Sequence, residues 1–265
     1  MNKQYYFISG LPRSGSTLLS AVLLQNPMFY ADIASPISNI LSGCINDFTM
    51  SDNNQNIKEH QRKSVLEGII GGYYKHISQP VVFDSSRSWT AKTALLKELF
   101  PYTKILCCVR DVRWILDSFE RIAAHNPLYT NTLVDEEERY SVESRCHSLM
   151  DLKKIGTVIR PLKWLEEGLS LNPEIIHLIE YDALCKHPEK TMKEVYQALG
   201  ITYFNHDFNL VQYQNESFDS AVSMRDLHTV KKKVEWVERK SILPQSIWKE
   251  YSQKQFWMKN KISYE

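Results

Sequence analysis

The chain reads as an α/β protein, a three-layer sandwich in which helices flank a central parallel sheet. Apolar runs at Tyr5 to Ser9, Val81 to Asp84, Lys104 to Val109 and Ile175 to Glu180 have the length of buried strands, and each precedes a segment with helical periodicity. That alternation is the pattern of βα units around a parallel sheet. With 265 residues, 43% of them hydrophobic and 24% charged, the chain suffices for one sizeable core. No repeat, low-complexity tract or Gly/Ser/Pro-rich linker divides it, so a single domain over 1–265 is expected.

The elements follow in order. The first run leads into 9-SGLPRSGSTLL-19 and then a helix whose stripe of Leu18, Leu19, Val22 and Leu23 is stopped by Asn26-Pro27. After the second run, Ala91, Ala94, Leu95 and Leu99 mark a helix, with Pro101 beyond it. After the third, Val112, Ile115, Leu116, Phe119 and Ile122 form an amphipathic stripe. After the fourth, Pro188 opens a helix carrying Met192, Val195, Tyr196 and Leu199, which Gly200 closes. The polar stretches Ser51 to Arg62 and Leu128 to Tyr140 read as surface loops or helix ends.

Thirty-two Lys and Arg against 31 Asp and Glu leave a net charge of +1, which speaks against a nucleic-acid or membrane-surface partner and makes any basic site local. Met1 to Gln4 run straight into the first strand, and no run approaches membrane-spanning length, so a cytoplasmic location is expected. The five cysteines fit neither a metal-ligand spacing nor a disulfide framework, and no metal is expected.

The glycine stretch carries the chemistry. Gly10 and Gly15 frame four residues as in the phosphate-binding signature G-x-x-x-x-G-K-[ST], but Ser16 stands where the lysine belongs. A strand, a glycine turn and a helix N-terminus direct several N–H groups and the positive end of the helix dipole at one place, which suits an anion. Ser14, Ser16 and Thr17 add hydroxyls, and Arg13 supplies a planar charged fork from inside the loop.

In this setting L-P-R-S-G-S-T-L-L resembles the 5'-phosphosulfate loop of PAPS-dependent sulfotransferases, in the form found in their bacterial and tyrosylprotein branches. The resemblance implies a P-loop NTPase-like fold and the donor 3'-phosphoadenosine 5'-phosphosulfate (PAPS), with adenosine 3',5'-bisphosphate (PAP) as product. A single 5'-phosphate carrying a sulfuryl group needs neither the lysine nor magnesium. The segment 104-KILCCVRDVRWILDSFERI-122 is similar to the family's 3'-phosphate motif, which would make Arg110 and Ser118 its ligands. The segment 175-IIHLIEYDALCKHPEKTMKEVYQALGI-201 resembles a further family motif and carries over Tyr181 as an aromatic contact to the nucleotide. Late in the chain, 226-DLHTVKKKVEWVERKSILP-244 resembles a loop that closes over the donor with a lysine, for which Lys231, Lys232 and Lys233 all stand open.

Two positions depart from the family. Its glutamate base falls at Ala34, leaving Asp32, Asp84, His125 and His228 as candidates, with Asp32 and Asp84 favoured by position. Its lysine after the strand-three aspartate is replaced by Ser85, with Arg87 offering the charge instead. The acceptor expected is a small cytosolic metabolite or natural product in a pocket walled by Met28 to Ser78 and His125 to Ser170, with aromatic residues such as Phe29, Tyr30, Phe48, Tyr73, Tyr74, Trp89 and Trp114. Saccharide or tyrosine sulfation, a P-loop kinase with a degenerate loop, and a non-catalytic PAPS- or PAP-binding protein are the alternatives. Monomer and homo-oligomer are both open.

Overall fold

The computed structural model describes residues 3–50, 56–126, 132–211 and 232–259. Among these, a five-stranded sheet contains β1 (Gln4–Gly10), β2 (Phe29–Ala31), β3 (Val81–Ser85), β4 (Ile105–Val109) and β5 (Ile176–Glu180), in the spatial order β2-β3-β1-β4-β5. Every pairing is parallel. The four runs read from the sequence are therefore strands, and the first is central. Edge strand β2 is the addition; three residues are too few to show a period.

Strand alternation sorts the core into two faces. Tyr6, Ile8, Leu106 and Cys108 face α1 (Ser16–Leu23) and a late helix, Pro188–Leu199. Phe7, Val82 and Ile105 face α2 (Ile37–Met50), α3 (Glu59–Tyr73) and α4 (Thr93–Leu99). Cys107 and Val109 pack with α5 (Val112–His125), α6 (Val142–Leu149) and α7 (Ile159–Leu171). β1, β3 and β4 lie between two helical layers, which is why they read as unbroken apolar runs instead of alternating ones. α3 begins inside the polar stretch Ser51 to Arg62. After β5 the chain forms α8 (Tyr181–Lys186) and α9 (Pro188–Leu199), and Gly200 ends α9 in the left-handed conformation at φ 67°. Among the described residues, no helix is long and apolar enough to cross a membrane.

The strand order sets the geography of the site. At the carboxyl edge of the sheet stand, side by side, the ends of β3, β1, β4 and β5. Open α/β sheets bind ligands at this edge, where neighbouring connections diverge.

Candidate functional site

The glycine loop is built around one carbonyl of β4. At Gly10, φ is 121°, and a Cβ there would lie 2.0 Å from the carbonyl oxygen of Cys108, so only glycine fits. Leu11 N donates to the same oxygen at 2.9 Å, and the Ser14 hydroxyl donates to it at 2.8 Å. Ser14 is buried, and its hydroxyl also reaches the Leu11 carbonyl. Its proton is therefore spent holding the loop together, not offered to a ligand. Gly15, at φ 95°, precedes α1 without any side-chain cap, and a Cβ there would come within 2.8 Å of the Tyr181 ring. The first N–H groups of α1 stand here beside the half-buried hydroxyls of Ser16 and Thr17, at the place where the sequence leads one to expect an anion.

On the β4 and β5 side of the loop lies a cluster of arginines. Arg13, itself at φ 57°, donates Nε to Ser118 Oγ at 3.1 Å. Arg110, the first residue past β4, donates Nη1 to the Arg13 carbonyl at 3.3 Å and lays its guanidinium over the Tyr181 ring, 4.1 Å from the centroid. Arg110 Nε is buried and finds no hydrogen-bond partner among the described residues. Burial raises the Tyr181 phenol above its ordinary pKa. Beneath them Asp117, fully buried, accepts from Arg121 Nε at 2.9 Å and from Ile242 N at 2.8 Å, and pairs with Arg239 Nη2 at 2.9 Å. Burial lowers the Arg239 pKa, and the neighbouring Arg110 and Arg121 push the same way against Asp117. Arg121 and Arg239 thus share this one carboxylate, with Arg13 and Arg110 close by, a local excess of positive charge in a nearly neutral chain.

On the β3 side of the loop opens a cavity of about 480 Å³. Its wall includes Ser9, Gly10, Leu11 and Ser16 from the loop, Ala34, Ser35 and Asn39 from the entry to α2, and Ser85, Ser86, Arg87 and Ser88 after β3. Leu133, Ile155, Thr157, Arg160 and Trp164 close it from the α7 side. The lining is rich in hydroxyls, unlike the aromatic wall expected from the sequence. Phe29, Phe48, Tyr74 and Trp89 are instead buried in the core. Trp114 packs edge-on against Trp248, with Arg239 over its other side.

The acid and base candidates are distributed differently from the ligands. Asp84 is fully buried and accepts from Ser35 Oγ at 2.6 Å, Tyr74 OH at 2.6 Å and Trp89 Nε1 at 2.8 Å. Burial pushes its carboxyl above the ordinary value, against the pull of the three donors. Asp32 is half-buried and accepts from Ile33 N at 2.7 Å and Tyr30 OH at 3.3 Å. Neither carboxylate is part of the cavity wall, whereas Ala34 is. His125 is exposed at the end of α5, with Nδ1 2.7 Å from the Arg121 carbonyl. Lys231 and His228 lie outside the described residues, and Lys232 and Lys233 are exposed.

Residues 6–205 match the family described as "Sulfotransferase family". The chain belongs to that family. Among solved structures, the sulfotransferase domain from the curacin biosynthetic pathway is similar over 100% of this chain and 99% of its own, at 16% identity and a TM-score of 0.54. A sulfotransferase from Alicyclobacillus acidocaldarius covers 84% of this chain and 90% of its own, at 16% identity and a TM-score of 0.51. These likenesses show a shared fold. No curated protein matches the chain.

In this sulfotransferase the residue that sequence reasoning passed over is Arg239. It stands in the same late segment as the three lysines, which drew attention by their density. The signal for Arg239 lies elsewhere, in the buried carboxylate of Asp117 two turns into α5, and only the folded chain shows that the two meet.

Proposed function

We propose that this sulfotransferase moves a sulfuryl group from PAPS to a hydroxyl of a small-molecule acceptor. The observation that carries the donor is the buried, unpartnered Nε of Arg110, held over Tyr181 beside a second anion cradle at the α1 N-terminus. A buried guanidinium N–H without an acceptor is costly, so a ligand oxygen belongs there. Two anion sites at neighbouring strand ends fit a nucleotide bearing separate 3'- and 5'-groups.

PAPS supplies the activated sulfuryl group and a phosphate leaving oxygen. The chain's own residues supply placement and charge. The N–H groups at the start of α1, with Ser16, Thr17 and Arg13, stabilise negative charge around the transferred group, in line with phosphate-transfer chemistry. Arg110, Ser118 and Arg239 hold the 3'-phosphate, and Tyr181 stacks against the nucleotide. Lys231 and Lys233 are assigned to the donor by resemblance. Asp32 is our assignment for the group that takes the acceptor's proton, two residues from the cavity-lining Ala34. Asp84 is assigned to fixing that wall through Ser35, because all three of its partners point inward at it.

The kinase alternative needs a strand-three aspartate free to hold magnesium, and Asp84 is spent on Ser35, Tyr74 and Trp89. Calorimetric titration with PAP, ADP and ATP, each with and without magnesium, tests the donor. Magnesium-independent binding of PAP in preference to ADP and ATP is expected. Magnesium-dependent ATP binding without preference for the 3'-phosphate would sink the proposal.

A further inference from the structure

The cavity on the β3 side holds a charge that the donor does not claim. Arg87 begins the 3₁₀ turn Arg87–Lys92 and lines the cavity among Ser86, Ser88, Ser35 and Asn39. Its backbone is fixed, since Ser9 Oγ donates to its carbonyl at 2.9 Å and Ser86 N donates to the Ile8 carbonyl at 3.0 Å. Among the described residues, no carboxylate lines this cavity and no side chain pairs with the Arg87 guanidinium. Burial alone lowers the pKa of this group; no charged neighbour contributes. The other cavity arginine, Arg160, is committed: Nε donates to the Ile155 carbonyl at 2.8 Å and Nη2 to those of Leu152 and Lys154, each at 2.8 Å.

A charge on a half-buried residue of a cavity wall that has no counter-ion among the described residues is unfavourable in the free protein and becomes favourable once an anion arrives. Its planar fork suits two oxygens of a carboxylate or phosphate. Position separates this charge from the donor's. Along the sheet edge the order is Arg87 after β3, the glycine loop after β1, Arg110 after β4 and Tyr181 after β5. The arginine cluster around Ser118 therefore lies on one side of the loop and Arg87 on the other.

We infer that the acceptor is itself anionic: a hydroxyl compound bearing a carboxylate or phosphate, which docks on Arg87 while its hydroxyl faces the loop. This rests on the sulfotransferase reading above. A volume of about 480 Å³ admits a molecule of modest size, and the surrounding hydroxyls of Ser35, Ser86 and Ser88 with the Asn39 amide add further polar contacts to such a group. Arg87 is then a specificity-determining residue.

The test uses the PAP-saturated protein and three phenols that share the 4-hydroxybenzyl frame: 4-hydroxyphenylacetate, 4-hydroxybenzylphosphonate and the uncharged methyl 4-hydroxyphenylacetate. Calorimetry is expected to show at least one anionic phenol binding about ten-fold or more tighter than the ester. Arg87→Gln is expected to erase that preference and Arg87→Lys to retain part of it, with PAP affinity unchanged in both. Absence of an anion preference in the wild type, weak or undetectable binding of both acids included, overturns the inference. So does a preference that survives Arg87→Gln, or a variant that loses PAPS affinity relative to PAP, which would move Arg87 onto the transferred group. If PAP itself fails to bind the wild type, the donor reading has failed instead.

Discussion

Replacing Arg110 by Gln separates the 3'-phosphate from everything else the donor offers. The structure assigns this guanidinium three attachments: the Tyr181 ring at 4.1 Å, the Arg13 carbonyl at 3.3 Å, and a buried Nε that no described residue satisfies. The first two are internal and survive without ligand. Their loss costs the fold about 1–2 kcal/mol, roughly one neutral hydrogen bond and one cation–π contact, which leaves a folded protein. The third becomes productive only when a phosphate oxygen reaches it. A hydrogen bond to a charged group contributes about 1.5–3 kcal/mol, and 1.4 kcal/mol is a factor of ten, so the variant's Kd for PAP should rise roughly 10- to 100-fold. Adenosine 5'-phosphate lacks the group concerned and should bind wild type and Arg110→Gln within a factor of about three. Calorimetry of the two nucleotides on the two proteins, with urea unfolding to confirm the fold, reads all of this. If PAP and adenosine 5'-phosphate weaken in parallel, or PAP does not weaken, Arg110 does not hold the 3'-phosphate.

Further expectations concern other parts of the molecule. Arg13→Ala should cut sulfuryl transfer by roughly 10²–10³-fold with the thermal midpoint little changed, since the residue is half-buried and its Nε bonds Ser118; measurable full activity would remove it from the chemistry. Asp32→Asn should lower turnover by at least about 10²-fold while PAP binding stays constant, and unchanged turnover would reassign the proton acceptor. Asp117→Asn takes the carboxylate from the half-buried Arg239 and Arg121 and should destabilise the fold by about 1–3 kcal/mol in urea unfolding. His206 is buried beside Tyr196, and burial lowers its pKa to about 4. A folded-state value below the unfolded one favours the fold above about pH 6.5 and loses that contribution as pH falls towards 4, a span worth on the order of 3 kcal/mol. His206→Gln should flatten the stability profile across that window.

The parts legible in the sequence were those with short-range signatures. Gly10, Gly15 and Arg13 announce the loop because the turn, the close approach to β4 and the helix start all fall within a few residues. β1, β3, β4 and β5 announce themselves as apolar runs because both faces are covered. The acceptor side was less legible, since its wall is made by chain entries into α2 and α7 whose neighbours are distant in sequence. Aromatic density pointed to Phe29, Tyr74 and Trp89 as wall, yet these large apolar groups gain more by full burial, and Trp89 and Tyr74 instead donate to Asp84. Ser85 and Arg87 stood out only as departures from the family pattern, and the turn after β3 collects them with Ser86 and Ser88 on one cavity wall. Arg239 was hidden by the same logic, its partner Asp117 lying on a different element.

The carbonyl of Cys108 receives the loop twice, from Leu11 N and Ser14 Oγ, and the chain that bears it continues within two residues to Arg110. The loop answers through Arg13, whose carbonyl accepts from Arg110. The proposed 5'- and 3'-cradles are thus riveted to one short piece of backbone, and on that proposal the span between them is a fixed gauge. A ligand is measured against it before any chemistry begins: nucleotides whose two anionic ends are closer or farther apart can satisfy one cradle but not both.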